Sequence, residues 1–200
     1  MIVVVGRPGL DEGGALDRLT GRIAAAAATN GARVEVVGSV ADDAVGDETI
    51  VVLGRARVGH AALLRVPGGQ VIRLDAADIE LGLRYVADCR VLVVADELDE
   101  AALRAAIDGA RYHGAQLVVA APVALDAAPV ALDAADLPDH ATVLTAPDED
   151  AGAFAELVGR YVALLDAGSD PADAWRDALS ATGWEPAAQG DAADDPGDEV

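Results

Sequence analysis

Two acidic stretches of this chain combine residue types and spacings that could support chemistry, and the first of them spans residues 31–48. There Asp42 and Asp43 follow a short apolar run and lie between Gly38 and Gly46. Glycine permits backbone angles that are closed to other residues, and aspartate side chains can bond the amides of their own loop. The apolar run predicts a strand, and open α/β sheets bind ligands at the carboxyl ends of their strands. The pattern therefore favours a small-molecule site at Gly38, Asp42 and Asp43.

Residue types exclude several other chemistries. All 14 basic residues are arginine, so a P-loop lysine, a Schiff-base lysine and a Ser–Lys nucleophile are absent. Cys89 is the only cysteine, which excludes an internal disulfide and predicts a buried, inert thiol. The histidines, His60, His113 and His140, have no second ligand at a metal-binding helical spacing. No metal site is therefore expected.

Composition limits the class of protein and its partners. The net charge of −21 argues against nucleic acids and anionic membranes as partners. Apolar residues make up 52% of the chain but aromatic residues only 3%, so the core must consist of alanine, valine and leucine. No run of 18 apolar residues occurs, and the N-terminus lacks the basic flank of a signal peptide. These features predict a soluble cytoplasmic protein of one domain.

Short β-branched runs alternate with longer amphipathic stretches, which is typical of an α/β domain with a mainly parallel sheet of about six strands. The predicted strands span residues 2–5, 33–37, 90–95, 116–123 and 142–145. The predicted helices span residues 15–30, 75–86, 98–113 and 152–166, and one more begins at residue 170.

Three further segments are harder to assign. Residues 49–58 fit a strand by local propensity and a helix by their context, and we favour the helix. Pro67-Gly68-Gly69 lies between two apolar runs and predicts a β-hairpin over residues 60–74. The acidic residues 186–200 predict a disordered tail, which leaves 1–185 as a single domain.

Several phrases of the sequence together resemble the PfkB carbohydrate kinases, whose fold is called ribokinase-like. The phrases are VVVGRPGLD at 3–11, VVGSVADDAVGDE at 36–48, LGRARVGHAALLR at 53–65, RYVADCRVLVV at 84–94 and YHGAQLVVAAP at 112–122. Their order and spacing carry the resemblance, rather than any single phrase. The resemblance implies a three-layer α/β/α domain with a mainly parallel central sheet. The few residues between the first strand and first helix imply a reduced lid.

The resemblance also implies a role for Asp11. Family members bind a sugar or nucleoside through a carboxylate near the end of the first strand, and Asp11 falls at that position. A carboxylate suits this role because it can accept hydrogen bonds from two adjacent hydroxyl groups. The alternative is that Asp11 caps a turn beside Gly9 and Gly13. Where the family has a GGKxxN segment, this chain has LTGR, which ends at Arg22.

The catalytic motif of the family is GAGD at the start of a helix, and it is not intact here. In the family its glycine amides hold the transferring phosphate, and its aspartate takes the proton from the attacking hydroxyl. The matching segment is EDAGAF at 149–154, in which Gly152 occupies the place of the aspartate. Ala151 and Gly152 occupy the anion-hole position. Asp150, two residues early, is the remaining catalytic candidate.

Electrostatics and chain length both argue against phosphoryl transfer at this motif. Each carboxylate of Asp148, Glu149 and Asp150 would repel a phosphate charge at 4 Å by about 1 kcal/mol in water, and by about 4 kcal/mol at an effective dielectric of 20. A helix terminus offsets only about 0.3–1 kcal/mol. The segment between residues 122 and 148 is also short for the nucleotide-binding strands that the resemblance implies there.

We therefore expect a catalytically degenerate PfkB-like homologue that retains a pocket for a sugar, polyol or nucleoside; the sequence does not identify a cofactor for it. One alternative is an active ATP-dependent sugar kinase that uses Asp150 with Mg²⁺ and ATP. Another is a non-catalytic interaction subunit that forms a homodimer through the 63–74 hairpin.

Overall fold

Six parallel strands form the centre of the molecule. In the computed structural model, which describes residues 1–68, 72–122, 141–146 and 151–184, they are β1 Ile2–Val5, β2 Val34–Ala41, β3 Val58–Val66, β4 Val91–Val94, β5 Gln116–Pro122 and β6 Thr142–Ala146. Their order across the sheet is β3-β2-β1-β4-β5-β6, and every neighbouring pair is parallel. The predicted parallel sheet of about six strands is confirmed.

Helices cover both faces of this sheet. The helices are α1 Leu19–Thr29, α2 Ala44–Arg55, α3 Ala76–Arg84, α4 Glu100–His113, α5 Ala151–Asp166 and α6 Pro171–Thr182. On one face the core joins Ile23 of α1 to Leu157 of α5, and on the other it joins Ile79 of α3 to Ile107 of α4. The chain thus forms the predicted three layers, α/β/α.

The apolar sequence of β1 explains why it lies at the centre. Its four residues, IVVV, are all fully buried, with Ile2 and Val4 in one core cluster and Val3 and Val5 in the other. Such continuous β-branched runs are typical of strands covered on both faces.

Small residues let two helices approach closely on the first face. A methyl group added at Gly159 of α5 would lie 2.4 Å from the Cβ of Ala26 and 2.8 Å from the amide nitrogen of Ala27, both in α1. The backbones of α1 and α5 are therefore in near contact. This contact agrees with the core of alanine, valine and leucine that the low aromatic content predicts.

Among the described residues, aspartate side chains cap the N-termini of four helices. Asp43, Asp75, Asp99 and Asp170 each accept a hydrogen bond from an amide in the first turn of the following helix. Residues 49–58 had two interpretations, and the cap at Asp43 helps to explain the outcome: α2 runs through residue 55, so the helix is confirmed. Many acidic residues therefore contribute to the fold itself.

Two sequence predictions were wrong in detail. Residues 72–74, the described part of the expected second hairpin strand, form no strand, and β3 pairs in parallel with β2. Instead, the hydroxyl of Ser39 donates to the carbonyl of Ile72 at 2.7 Å, which holds this segment at the end of β2. The first helix begins at Leu19 rather than at residue 15, because Ala15 is bonded to the loop around Asp11.

Two of the predicted segments fall wholly or partly outside the described residues. The predicted tail from residue 186 lies outside the described residues, as do residues 69–71 of the expected hairpin. Among the described helices, none has the length and apolar character needed to span a membrane.

We predict that Gly38→Ala destabilises the protein by about 1–3 kcal/mol, because the new methyl group would lie 2.1 Å from the carbonyl oxygen of Gly6 in β1's following loop. Gly54→Ala in α2 is the matched control, since the nearest atom to its methyl group is Cε1 of His60 at 3.9 Å. The control should leave stability unchanged or raise it by up to about 1 kcal/mol. Urea unfolding measures both, and equal effects would contradict the prediction.

Candidate functional site

Loops that carry polar residues meet at the carboxyl edge of the sheet. Because β1 and β2 are parallel, the loop containing Asp11 and the turn containing Asp42 leave the same edge. The first loop also reaches α2, since the Cβ position at Gly14 lies 3.4 Å from a carboxylate oxygen of Glu48. The sequence prediction that these two segments share one edge of the sheet agrees with this topology.

The direction of the strand order reverses beside β1, which has β2 on one side and β4 on the other. Open α/β sheets bind ligands in the crevice at such a reversal. Here an ion pair occupies it: Nε of Arg7 lies 2.5 Å from Oδ2 of Asp96, and the side chains are 15% and 12% exposed. The second terminal nitrogen of Arg7 donates to Oδ1 of Asp96 at 2.6 Å. The pair is therefore bidentate and mostly buried.

Backbone amides complete the bonding of Asp96. Its carboxylate also accepts hydrogen bonds from the amides of Arg7 at 3.0 Å and Glu97 at 2.9 Å. The hydrogen bond from Arg7 to Asp96 raises the pKa of the guanidinium above its ordinary value, against the opposing effect of burial. This arrangement fixes the loops after β1 and β4 to each other. It also leaves Asp96 no oxygen without a partner.

Sequence reasoning missed this pair. Asp96 lies in the connection between β4 and α4, and α4 begins at Glu100 with Asp99 as its cap. The signal that could have found it is positional, because Arg7 and Asp96 each lie two residues after the end of a neighbouring strand, β1 and β4. That reading requires the strand order, which local sequence does not supply.

Asp11 organises its own loop. Its Oδ1 accepts hydrogen bonds from the amides of Gly13 at 2.8 Å and Ala15 at 2.9 Å, and its backbone amide donates to the carbonyl of Ala15 at 2.9 Å. The alternative that Asp11 caps a turn is thus consistent with the geometry. Its Oδ2 has no hydrogen-bond partner among the described residues, and the side chain is exposed. One oxygen of this carboxylate is free to accept from a ligand.

The other predicted binding residues have structural partners. Asp43 uses Oδ1 to cap α2, accepting from the amides of Val45 and Gly46 at 3.0 Å each. Asp42 accepts from Nε of Arg65 at 2.9 Å, and Arg65 also reaches Asp47 at 2.5 Å. The hydrogen bonds that Arg65 donates to Asp47 and Asp42, of which that to Asp47 has the larger effect, raise the pKa of the guanidinium.

Gly38, which was predicted to belong to a small-molecule site, is instead packed against the neighbouring strand. It lies within β2, and a methyl group there would meet the carbonyl oxygen of Gly6. This contact closes the sheet at the end of β1 and leaves Gly38 buried.

The expected anion-hole position opens α5, and an arginine lies beside it. A terminal nitrogen of Arg22 lies 3.6 Å from the Cβ position at Gly152, and Nε of Arg22 donates to the carbonyl of Leu16 at 2.9 Å. The first turn of α5, which begins at Ala151, contains no acidic residue. Asp150, together with residues 147–149, lies outside the described residues. Its catalytic role stays a prediction.

Metal and thiol chemistry find little support in the described part of the chain. Within it, no three His, Cys, Asp or Glu side chains form a group that could hold a metal ion. Cys89 is buried, as predicted, and burial raises the pKa of its thiol to about 11. A thiol with this pKa is a poor nucleophile near neutral pH.

Known structures share this architecture, although sequence comparison alone finds none of them. No family model and no curated protein sequence matches the chain. A protein described as a candidate ribokinase II from E. coli, in complex with ATP and Mg²⁺, is 13% identical with a TM-score of 0.61, and the match covers 90% of this chain and 91% of that one. Adenosine kinase from Sinorhizobium meliloti is 12% identical with a TM-score of 0.59, covering 91% and 92%.

A third similar structure is described as a candidate 1-phosphofructokinase from Thermotoga maritima, at 10% identity and a TM-score of 0.61, covering 91% of each chain. At these identities the likeness establishes the fold. The domain is ribokinase-like, as the resemblance implied.

We predict that Asp96→Asn destabilises the protein by about 1–2 kcal/mol, because the partly buried Arg7 loses its charged partner. Glu100→Gln is the matched control: its ion pair with Arg104 at 3.2 Å is exposed, so its removal should cost less than about 0.5 kcal/mol. Urea unfolding at low and high salt compares the two variants. A loss for Asp96→Asn no larger than that of the control would show that the pair does not fix the crevice.

Proposed function

We propose that this protein has kept the ribokinase-like scaffold, has lost phosphoryl transfer, and binds a small polyhydroxy compound at the carboxyl edge of its sheet. The observation that carries the proposal is the start of α5. Its first turn has Gly152 where the motif of the PfkB kinases has an aspartate, so no carboxylate in that turn can accept a proton. Phosphoryl transfer depends almost wholly on positioning and charge neutralisation, with a base for the attacking hydroxyl.

The crevice beside β1 supports the same proposal. The space between the ends of β1 and β4 is occupied by the Arg7–Asp96 pair, in which both carboxylate oxygens have partners within the protein. Asp96 thus neutralises the charge of Arg7 through a bidentate pair, which makes Arg7 a weaker site for a phosphate.

Asp11 is the group that best fits a hydroxyl-bearing ligand. Its Oδ1 is held by two amides, which fixes the carboxylate, and its Oδ2 is free among the described residues. A fixed acceptor loses little conformational entropy when a hydroxyl binds. Asp42 and Asp43 also engage only Oδ1, but they contribute less to this proposal, because Arg65 neutralises the charge of Asp42 and Asp43 caps α2.

An active ATP-dependent kinase is the alternative. It is favoured by the fold, since one structurally similar protein contains ATP and Mg²⁺. In this chain it would require Asp150 as the base. The two functions differ in one measurable property, which is turnover of ATP.

We predict no phosphate transfer from ATP to any compound in a panel of sugars and nucleosides. Calorimetry with ATP, with and without Mg²⁺, should detect no binding tighter than about 1 mM, because no lysine is present, Arg7 is already paired with Asp96, and Arg22 supplies only a single positive charge beside Gly152. Turnover assays on the same panel complete the test. Micromolar Mg·ATP affinity, together with turnover that disappears in Asp150→Asn, would establish the active kinase instead.

We predict that at least one member of a polyol and nucleoside panel raises the melting temperature, and that Asp11→Asn weakens its binding about tenfold. Asparagine keeps a carbonyl oxygen for the amides of Gly13 and Ala15 but removes the charge, and a hydrogen bond to a charged acceptor is worth about 1.5–3 kcal/mol.

The matched control is Asp17→Asn, an exposed carboxylate in the same loop. Its binding should equal that of the unmodified protein. No ligand in the panel, or equal weakening by both variants, would contradict the Asp11 pocket.

A further inference from the structure

The aromatic residues of this chain separate into two groups. Four of the six form two pairs that join α5 to α6 and the residues just after it. Phe154 pairs with Trp184 at a centroid distance of 6.0 Å, and Tyr161 pairs with Trp175 at 5.3 Å. The other two, Tyr85 and Tyr112, are 78% and 87% exposed. Exposed aromatic side chains beside an apolar groove are typical of interaction surfaces.

Such a groove lies between α3 and α4, on the sheet face opposite α5. Its volume is about 610 Å³, and its floor includes Leu83, Val86, Ala105 and Gly109. A methyl group at Gly109 would lie 2.3 Å from Cδ1 of Leu83, so the two helices touch there. This contact places residues 83 and 109 at the same height along the groove.

Charges of opposite sign stand on the two rims at that height. Arg84 of α3 follows Leu83, and Asp108 of α4 precedes Gly109; their side chains are 75% and 65% exposed. Each has a partner on its own helix, but at long distance: Glu80 is 3.7 Å from Arg84, and Arg111 is 3.4 Å from Asp108. Two acids and two bases thus balance locally, in a chain whose net charge is −21.

We propose that this groove is the surface through which two copies of the chain associate, about a two-fold axis that runs along it. Such an axis places α3 of one copy opposite α4 of the other at the same height. Arg84 then faces Asp108 of the second copy, and the reciprocal pair forms by symmetry. Tyr112 of each copy lies over the end of the other groove, near Val86, where its exposed ring becomes buried.

A second copy fits this groove better than an unrelated partner for two reasons. At the height of Leu83 and Gly109 one rim carries Arg84 and the other Asp108, and such an arrangement of opposite charges lets a surface complement itself. Elsewhere the acidic surface makes two copies repel, whereas this groove is locally balanced. At 0.15 M salt, charges separated by more than the Debye length of about 8 Å are largely screened. The pairing of nearby charges in the groove therefore determines whether two copies attract.

The size of the surface sets the expected affinity. Fourteen residues of α4 extend about 21 Å, and packed helices lie about 8–10 Å apart, so two helices present on the order of 400 Å². A stable interface buries about 800 Å² per partner. The dimer is therefore a weak one, with a dissociation constant between about 10 μM and 1 mM.

Sedimentation velocity of the full chain, from about 5 μM to 1 mM in 0.15 M NaCl, tests the proposal over that range. The unmodified protein should shift from monomer to dimer. Arg84→Asp and Asp108→Arg each place like charges opposite one another twice, and should weaken association at least tenfold. Tyr112→Ser should weaken it similarly. Arg176→Asp, an exposed charge reversal on α6, is the control and should leave association unchanged.

Mixing the two charge variants gives the decisive result. In a mixed dimer the carboxylate introduced at position 84 faces the guanidinium introduced at position 108, while the native Asp108 faces the native Arg84. The mixture should therefore dimerise more strongly than either variant does alone. A monomer at all concentrations, a dimer that none of the three variants weakens, or a mixture that stays monomeric would each overturn the proposal. Circular dichroism confirms that each variant is folded.

Discussion

Close backbone contact at Gly6 is the constraint on which the carboxyl edge depends. A methyl group at Gly6 would lie 2.3 Å from the hydroxyl oxygen of Thr20 and 2.8 Å from Cβ of Asp96. On the other side, a methyl group at Gly38 would lie 2.1 Å from the carbonyl oxygen of Gly6. The hydroxyl of Thr20 donates to the carbonyl of Ala95 at 3.0 Å. β1, β2, β4 and α1 therefore meet at one residue that has no side chain. Because of this contact, the Arg7–Asp96 pair has little room to rearrange.

The same constraint affects the crevice at the reversal of strand order. In open α/β sheets the reversal of strand order leaves a crevice for a ligand, but here protein groups fill it. The carboxylates that the sequence places nearby are also engaged, Asp43 as a helix cap and Asp42 with Arg65. These bonds between polar groups of the protein stabilise this edge of the sheet. Asp11, Asp42 and Asp43 each use only Oδ1 in contacts with the described residues, and of the three only Asp42 is paired there with an arginine.

Much of the fold followed from local sequence, and the discrepancies have physical causes. Apolar runs such as IVVV predicted strands correctly because burial on both faces requires them. The hairpin at 60–74 was wrong because Pro67-Gly68 specifies a turn but not which strand pairs with β3. The Arg7–Asp96 pair could not be predicted, since its residues are 89 positions apart and meet only through the strand order. The sequence left two roles open for Asp11, ligand binding and capping of a turn, because both favour an aspartate at this position.

The close contact of α1 with α5 has a consequence for the thermodynamics of folding. Alanine and glycine have no side-chain rotamers to lose, and valine has few, so a core made of them is ordered at a low cost in conformational entropy. The run of alanines from Ala24 to Ala28 buries backbone and methyl surface in α1 without that cost. Each such residue also contributes less apolar area than leucine or phenylalanine would. The protein thus offsets a weaker hydrophobic driving force per residue with a smaller loss of side-chain disorder.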